Sequence, residues 1–208
     1  QTEKKSYKLE NDCLQVTVQT FGAELSSIIN KENNQEYLWQ ADPKFWNRHA
    51  PVLFPIVGRL KDNTYTYNGK NYTLPQHGFA RDMIFSLKDQ SEDELKFSLK
   101  HQNETLENYP FKFEFEISYK LIGSAVKVSY RISNIDNKEI YFSVGAHPAF
   151  ICPLNLEEKF DDYYLEFEKA ETLHRQLLRF FAGAALAGAL LLPASLALSG
   201  GLSAYRGF

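Results

Sequence analysis

Three short stretches hold the side chains best suited to proton transfer and hydroxyl recognition. The first is His49-Ala50-Pro51-Val52-Leu53-Phe54-Pro55-Ile56-Val57-Gly58-Arg59-Leu60. Arg59 closes this apolar run. Its guanidinium offers five donors in a fixed fork, suited to neighbouring hydroxyls or a carboxylate. The second is Pro75-Gln76-His77-Gly78-Phe79-Ala80-Arg81-Asp82. Glycine after His77 lets backbone approach a ligand closely, and imidazole exchanges a proton near neutral pH. The third is Gly145-Ala146-His147-Pro148-Ala149-Phe150. The apolar run Ile140–Val144 reads as a strand, so His147 falls at a strand end, before a proline that stops the ladder. A rigid sheet can place a general acid at such an end. Read singly, each stretch has a plainer explanation: a surface arginine, a turn histidine, a satisfied histidine at a sheet edge. His101 and His174 lie in polar surroundings and are assigned no role.

Metal chemistry is not expected. Successive histidines stand 28, 24, 46 and 27 positions apart, and the two cysteines, Cys13 and Cys152, lack nearby partners. No glycine-rich phosphate loop and no serine elbow occurs.

The elements that must position these residues read as strands. Leu14, Val16 and Val18 alternate with polar neighbours. So do Phe113, Phe115, Ile117, Tyr119 and Leu121, and then Val126, Val128, Tyr130 and Ile132. A period of two puts one face on a core and the other in water, as in an antiparallel sheet. Asn68-Gly69 between Thr64–Tyr67 and Lys70–Leu74 is a type I′ hairpin pair, and Gly123-Ser124 joins the two long runs. Asn11-Asp12 fits a turn before the first strand. Helix is scarce: Pro43–Arg48 reads as one turn, with Asp42 as its cap.

The chain has 208 residues and a net charge of −3. It is long enough for one sizeable domain and shows no basic excess, so a nucleic-acid partner is not expected. Two distant thiols do not form a disulfide framework, and the first 30 residues hold no apolar signal core, so a cytoplasmic setting is expected. The averages conceal a seam. All 26 acidic residues lie before residue 172, and residues 179–208 carry only Arg179 and Arg206 as charges. Phe180 to Tyr205 is uncharged and rich in Ala, Leu and Gly. As helix it would span about 39 Å at about 1.5 Å per residue, more than a bilayer core of about 30 Å. Gly, Ser and Pro193 weaken a membrane reading, so membrane association is expected only if this segment belongs to the native chain. The division expected is therefore 1–178 as an incomplete β-sandwich and 179–208 as an apolar, helical tail of foreign or membrane-like character.

In their order, Phe21-Gly22-Ala23-Glu24-Leu25, Ala50–Leu60, Gln76–Asp82 and Gly145–Phe150 resemble the aldose 1-epimerase (galactose mutarotase-like) family, and within it the LacX-like branch. The resemblance covers about residues 5–178. It implies an all-β fold, the antiparallel β-supersandwich of galactose mutarotase-like proteins, here C-terminally incomplete. It implies an isomerase that interconverts the α and β anomers of a hexose, free or phosphorylated, by acid–base ring opening with no cofactor. A phosphorylated sugar would need Arg59, Lys61 and Arg81 to converge. Carried across, His147 is the general acid, His77 stabilises charge near the ring oxygen, and Arg59 orients hydroxyls. The family's catalytic glutamate comes late in the fold, yet no acid follows Glu171. Weak activity or none is therefore expected of this chain. Two other readings stay open: a non-catalytic sugar-binding module, and a truncated or fused product with a membrane-like tail.

Overall fold

The computed structural model describes residues 3–164 and 189–191 of the chain. Period-two alternation builds its two larger sheets. Three antiparallel strands, β1 (Ser6–Glu10), β2 (Leu14–Gln19) and β3 (Glu24–Asn30), form the first, in the order β1-β2-β3. Leu14, Val16 and Val18 are buried, and their neighbours are partly exposed. The turn at Asn11 follows a strand, β1, that alternation did not reveal. There the Asn11 side chain accepts the backbone N–H groups of Cys13 (2.9 Å) and Leu14 (2.8 Å), as Asx turns do.

Two small pairings follow. β4 (Val52–Leu53) is matched by a strand far along the chain, and β5 (Thr64–Tyr67) pairs with β6 (Lys70–Thr73). Both turn residues of the latter hairpin lie at positive φ, Asn68 at 48° and Gly69 at 74°, as a type I′ turn requires.

β7 (Ser86–Gln90) and β8 (Glu94–Lys100) begin the second large sheet. A short helix, α1 (Asn103–Asn108), separates them from β9 (Phe113–Ile122) and β10 (Ala125–Asn134). The antiparallel order is β10-β9-β8-β7. The alternating run of β9 buries Phe113, Phe115, Ile117, Tyr119 and Leu121. Its Glu116 is also buried, between Lys88 and Arg131. α1 has no apolar face to announce it. It depends instead on the Thr105 hydroxyl, which accepts the Gln102 N–H at 2.9 Å.

The buried faces of the two sheets share one core. Tyr7 of β1 meets Phe97 of β8 edge-on, with centroids 5.8 Å apart. The Tyr119 hydroxyl crosses to donate to the Ala23 carbonyl at 2.6 Å. Two further strands, β11 (Gly145–Ala146) and β12 (Ala149–Ile151), complete the frame. β11 pairs with β4, and β12 pairs with β13 (Ala189–Leu191).

Two local expectations are corrected. Ile140–Val144 is not a strand. The ladder is confined to Gly145–Ala146, while Ser143 makes a single backbone bond to the Pro55 carbonyl (2.8 Å). Pro43–Arg48 is a turn, not a helix. Asp42 does cap it, its carboxylate accepting the Lys44 N–H at 2.9 Å. Of the expected helical tail, Ala189–Leu191 is extended; the boundary at 178/179, His174 and the rest of the tail lie outside the described residues. Among the described residues no helix is long and apolar enough to cross a membrane.

Phe54, directly after β4, is the hub of the core. Its ring centroid lies 4.8 Å from that of Phe115, 5.0 Å from Phe113, 6.0 Å from Tyr109 and 6.3 Å from Phe79. Truncating a buried aromatic of this kind costs about 3–5 kcal/mol. Phe54→Ala is therefore expected to lower the urea midpoint by a corresponding amount. A change under about 1 kcal/mol would contradict this packing.

Candidate active site

The site is built where three backbone segments meet beyond β4. β4 and β11 are in register with Leu53 opposite Gly145 and Val52 opposite Ala146. One residue further, the His147 N–H donates to the Pro51 carbonyl at 3.1 Å, and the Ala149 N–H donates to the His49 carbonyl at 2.9 Å. Pro148 between them brings no N–H. His147 is thus fixed at the end of a two-residue ladder, Gly145–Ala146, rather than at the end of the expected strand Ile140–Val144.

His77 arrives from the opposite side. Its φ is +69°, and that of Gly78 is +71°. Gly78 forms a parallel bridge with Phe54. A Cβ on Gly78 would lie 2.3 Å from the Phe54 carbonyl oxygen, so no other residue fits without displacement. That carbonyl accepts the N–H groups of both Phe79 (3.0 Å) and Ala80 (3.1 Å). His77 then clasps Gly58. Its N–H donates to the Gly58 carbonyl at 2.8 Å, and the Gly58 N–H donates to its Nδ1 at 3.0 Å. Nδ1 is therefore an acceptor, and neutral His77 carries its proton on Nε2.

The two imidazoles come together, with ring centroids 6.2 Å apart. Trp46, from the turn capped by Asp42, packs against His147 with centroids 5.1 Å apart. Burial lowers the pKa of His147, and the Arg81 guanidinium lowers it further. His77 is lowered by burial first, then by Arg81 and by His147. Both rings therefore favour the neutral form near pH 7.

Arg81, which the sequence offered only as one member of a possible phosphate-binding cluster with Arg59 and Lys61, carries the charge that acts on both histidines. The pair Ala80-Arg81 sits in the same stretch as His77, and that proximity was the available signal. Its guanidinium donates to the Gln76 carbonyl at 2.9 Å. Its Nε is buried and lies 3.5 Å from an Asp82 carboxylate oxygen, close enough for charge attraction but without a hydrogen bond. Asp82 is held in turn by Arg48, which also donates to the Arg81 carbonyl at 3.1 Å.

Arg59 is not gathered into the pair. It is exposed, and its Nε donates to the Asn63 side chain at 3.1 Å, although its neighbour Gly58 is the residue His77 holds. Arg59 and Arg81 thus take different partners. A separate apolar hollow of about 340 Å³ is lined by Tyr65, Tyr67, Tyr109, Phe111, Tyr141 and Phe142 and contains neither histidine. Two of its hydroxyls are already committed, Tyr65 to the Asn108 carbonyl and Tyr109 to the Tyr141 carbonyl. Among the described residues no group of three or more His, Cys, Asp or Glu is placed to hold a metal ion. Both cysteines are free, Cys13 exposed and Cys152 buried.

Comparison with known proteins identifies the family of this antiparallel β fold. The family model for aldose 1-epimerase matches residues 5–178, and the chain belongs to that family. It is 40% identical to the chromosomal LacX protein of Lactococcus lactis over 171 residues, which is 79% of this chain and 57% of that protein. Among solved structures it resembles a galactose mutarotase related enzyme from Lactobacillus acidophilus, at 42% identity and a TM-score of 0.73, over 74% of this chain and 52% of that one. A galactose mutarotase-like protein from Lactobacillus casei shares 38% identity with a TM-score of 0.71, again over 74% and 52%. The fold over the matched region is therefore galactose mutarotase-like. The chain spans between half and three-fifths of the length of these relatives.

Histidine NMR tests the electrostatics. His77 and His147 are expected to titrate below the usual histidine value of about 6.5. Arg81→Gln removes a cation that disfavours their charged forms, so both midpoints rise. Midpoints at or above the ordinary value in the unaltered chain would contradict the burial and charge described.

Proposed function

We propose that this site performs acid–base chemistry on the anomeric centre of a hexose. One observation carries the reading: His77 and His147, distant in sequence, face each other in a family of aldose 1-epimerases. In this reading His147 protonates the ring oxygen as the C1–O5 bond breaks, and the anomeric hydroxyl loses its proton to a carboxylate. The open aldehyde rotates about C1–C2 and recloses to either anomer. His77 offers its Nε2 proton to the charge growing near the ring oxygen. Arg59 leaves Asn63 to hold a sugar hydroxyl. The reaction needs no cofactor, and the cytoplasm is the proposed setting.

The carboxylate step is the weak one for this chain. No acid follows Glu171, and Asp82, beside the histidines, is engaged by Arg48 and Arg81. That observation favours a second reading, in which these residues bind sugar without rapid turnover. General-base catalysis contributes about 10²–10⁴-fold, so turnover by this chain is proposed to be weak.

Exchange and saturation-transfer NMR on the anomers of glucose and galactose separate the readings. We expect saturation transfer to the sugar and a small acceleration of anomer exchange over buffer, lost in His147→Ala. A lowered histidine pKa leaves little imidazolium at pH 7, so exchange should quicken as pH falls toward that pKa. Saturation transfer without acceleration would leave only the binding reading. Neither effect would overturn both.

A further inference from the structure

We propose that Trp46 is the positioning residue of His147, its indole holding the imidazole toward His77 by ring packing in place of a hydrogen bond. Acid–base histidines are ordinarily oriented through one ring nitrogen, which accepts or donates to a fixed group. The other histidines among the described residues follow that pattern. His77 Nδ1 is held by the Gly58 N–H at 3.0 Å, and His49 Nδ1 lies 2.8 Å from the Trp39 carbonyl. His101 Nδ1 stands 3.4 Å from the Phe113 carbonyl. Among the described residues the His147 ring meets Trp46 and His77, and neither of its nitrogens makes a hydrogen bond. Its main chain is fixed, yet its side-chain torsions are governed by packing alone. Among the described residues both nitrogens consequently stay available to a ligand.

Trp46 is itself firmly placed. Its N–H donates to the Asp42 carbonyl at 2.9 Å, and its carbonyl accepts the indole N–H of Trp39 at 2.8 Å. Trp39 also donates its backbone N–H to the Ala149 carbonyl at 2.9 Å, two residues beyond His147. One residue therefore ties the turn that carries Trp46 to the strand that follows His147. The charged and titratable groups around the pair are Arg81 and Asp82, His77 across the site, Arg48 with Asp82, and His49 on the strand approach.

The kinetic part of this inference rests on His147 acting as the proton donor; its structural part does not. The first measurement is therefore independent of activity: ¹³C relaxation of the His147 imidazole. We expect an ordered ring in the unaltered chain, a mobile ring in Trp46→Ala, and restored order in Trp46→Phe. If Trp46→Ala does not fold, the nuclear Overhauser contacts between the two rings in the unaltered chain replace it. A His147 ring as ordered in Trp46→Ala as in the parent, or no ring-to-ring contact, overturns the proposal. The second measurement is kinetic. Loss of orientation is expected to lower kcat by on the order of 10- to 100-fold, with KM changed less than about threefold and activity regained in Trp46→Phe. A raised KM at unchanged kcat would make Trp46 a sugar platform and overturn the positioning role. If no variant and no parent turns over sugar while the relaxation result holds, the mutarotase reading fails and the placement of His147 by Trp46 stands.

Discussion

The backbone of Phe54 joins the core to the site. Its ring lies among Phe79, Tyr109, Phe113 and Phe115, while its carbonyl accepts two N–H groups from the segment that carries His77. Gly78 passes so close to that carbonyl that a side chain cannot be inserted. The left-handed backbone at His77 and Gly78 is the form that this close approach demands. On the other side, β4 reaches β11 through two residue pairs, and His147 follows one residue later. Both imidazoles are therefore referenced to the same few residues, Pro51 to Phe54. A core that positions Phe54 positions the pair.

Around this junction the charges are arranged to keep the imidazoles neutral. Burial is the larger effect at each ring, and Arg81 adds to it. Asp82 does not reverse the effect, because Arg48 engages the same carboxylate. The Gly58 clasp also needs an unprotonated Nδ1 on His77.

Legibility in the sequence followed periodicity. β2 and β9 were readable because their alternation maps directly onto burial, and Asn68-Gly69 because one turn type requires that pair. α1 was not readable, since Asn103–Asn108 carries no apolar stripe and is set by a local cap. Ile140–Val144 looked like a strand because it is apolar, but ladder formation needs a partner, and only Gly145–Ala146 has one. His77 and His147 were legible as candidates from their short motifs. That they face each other depends on a parallel bridge and a two-residue ladder, which leave no pattern in sequence. Trp46 carries no motif, and Arg81 was legible only as a companion of Arg59 and Lys61; that each stands near the histidines is a matter of tertiary approach.

We propose His77 and His147 as one sugar-binding acid–base pair. Its most direct test is a galactose and glucose titration followed through the imidazole resonances of the protein. The account predicts saturable shifts at both His77 and His147, with His101 unmoved and with no response to a non-sugar polyol such as glycerol. Sugar-dependent shifts at neither histidine, or at one alone, would contradict it.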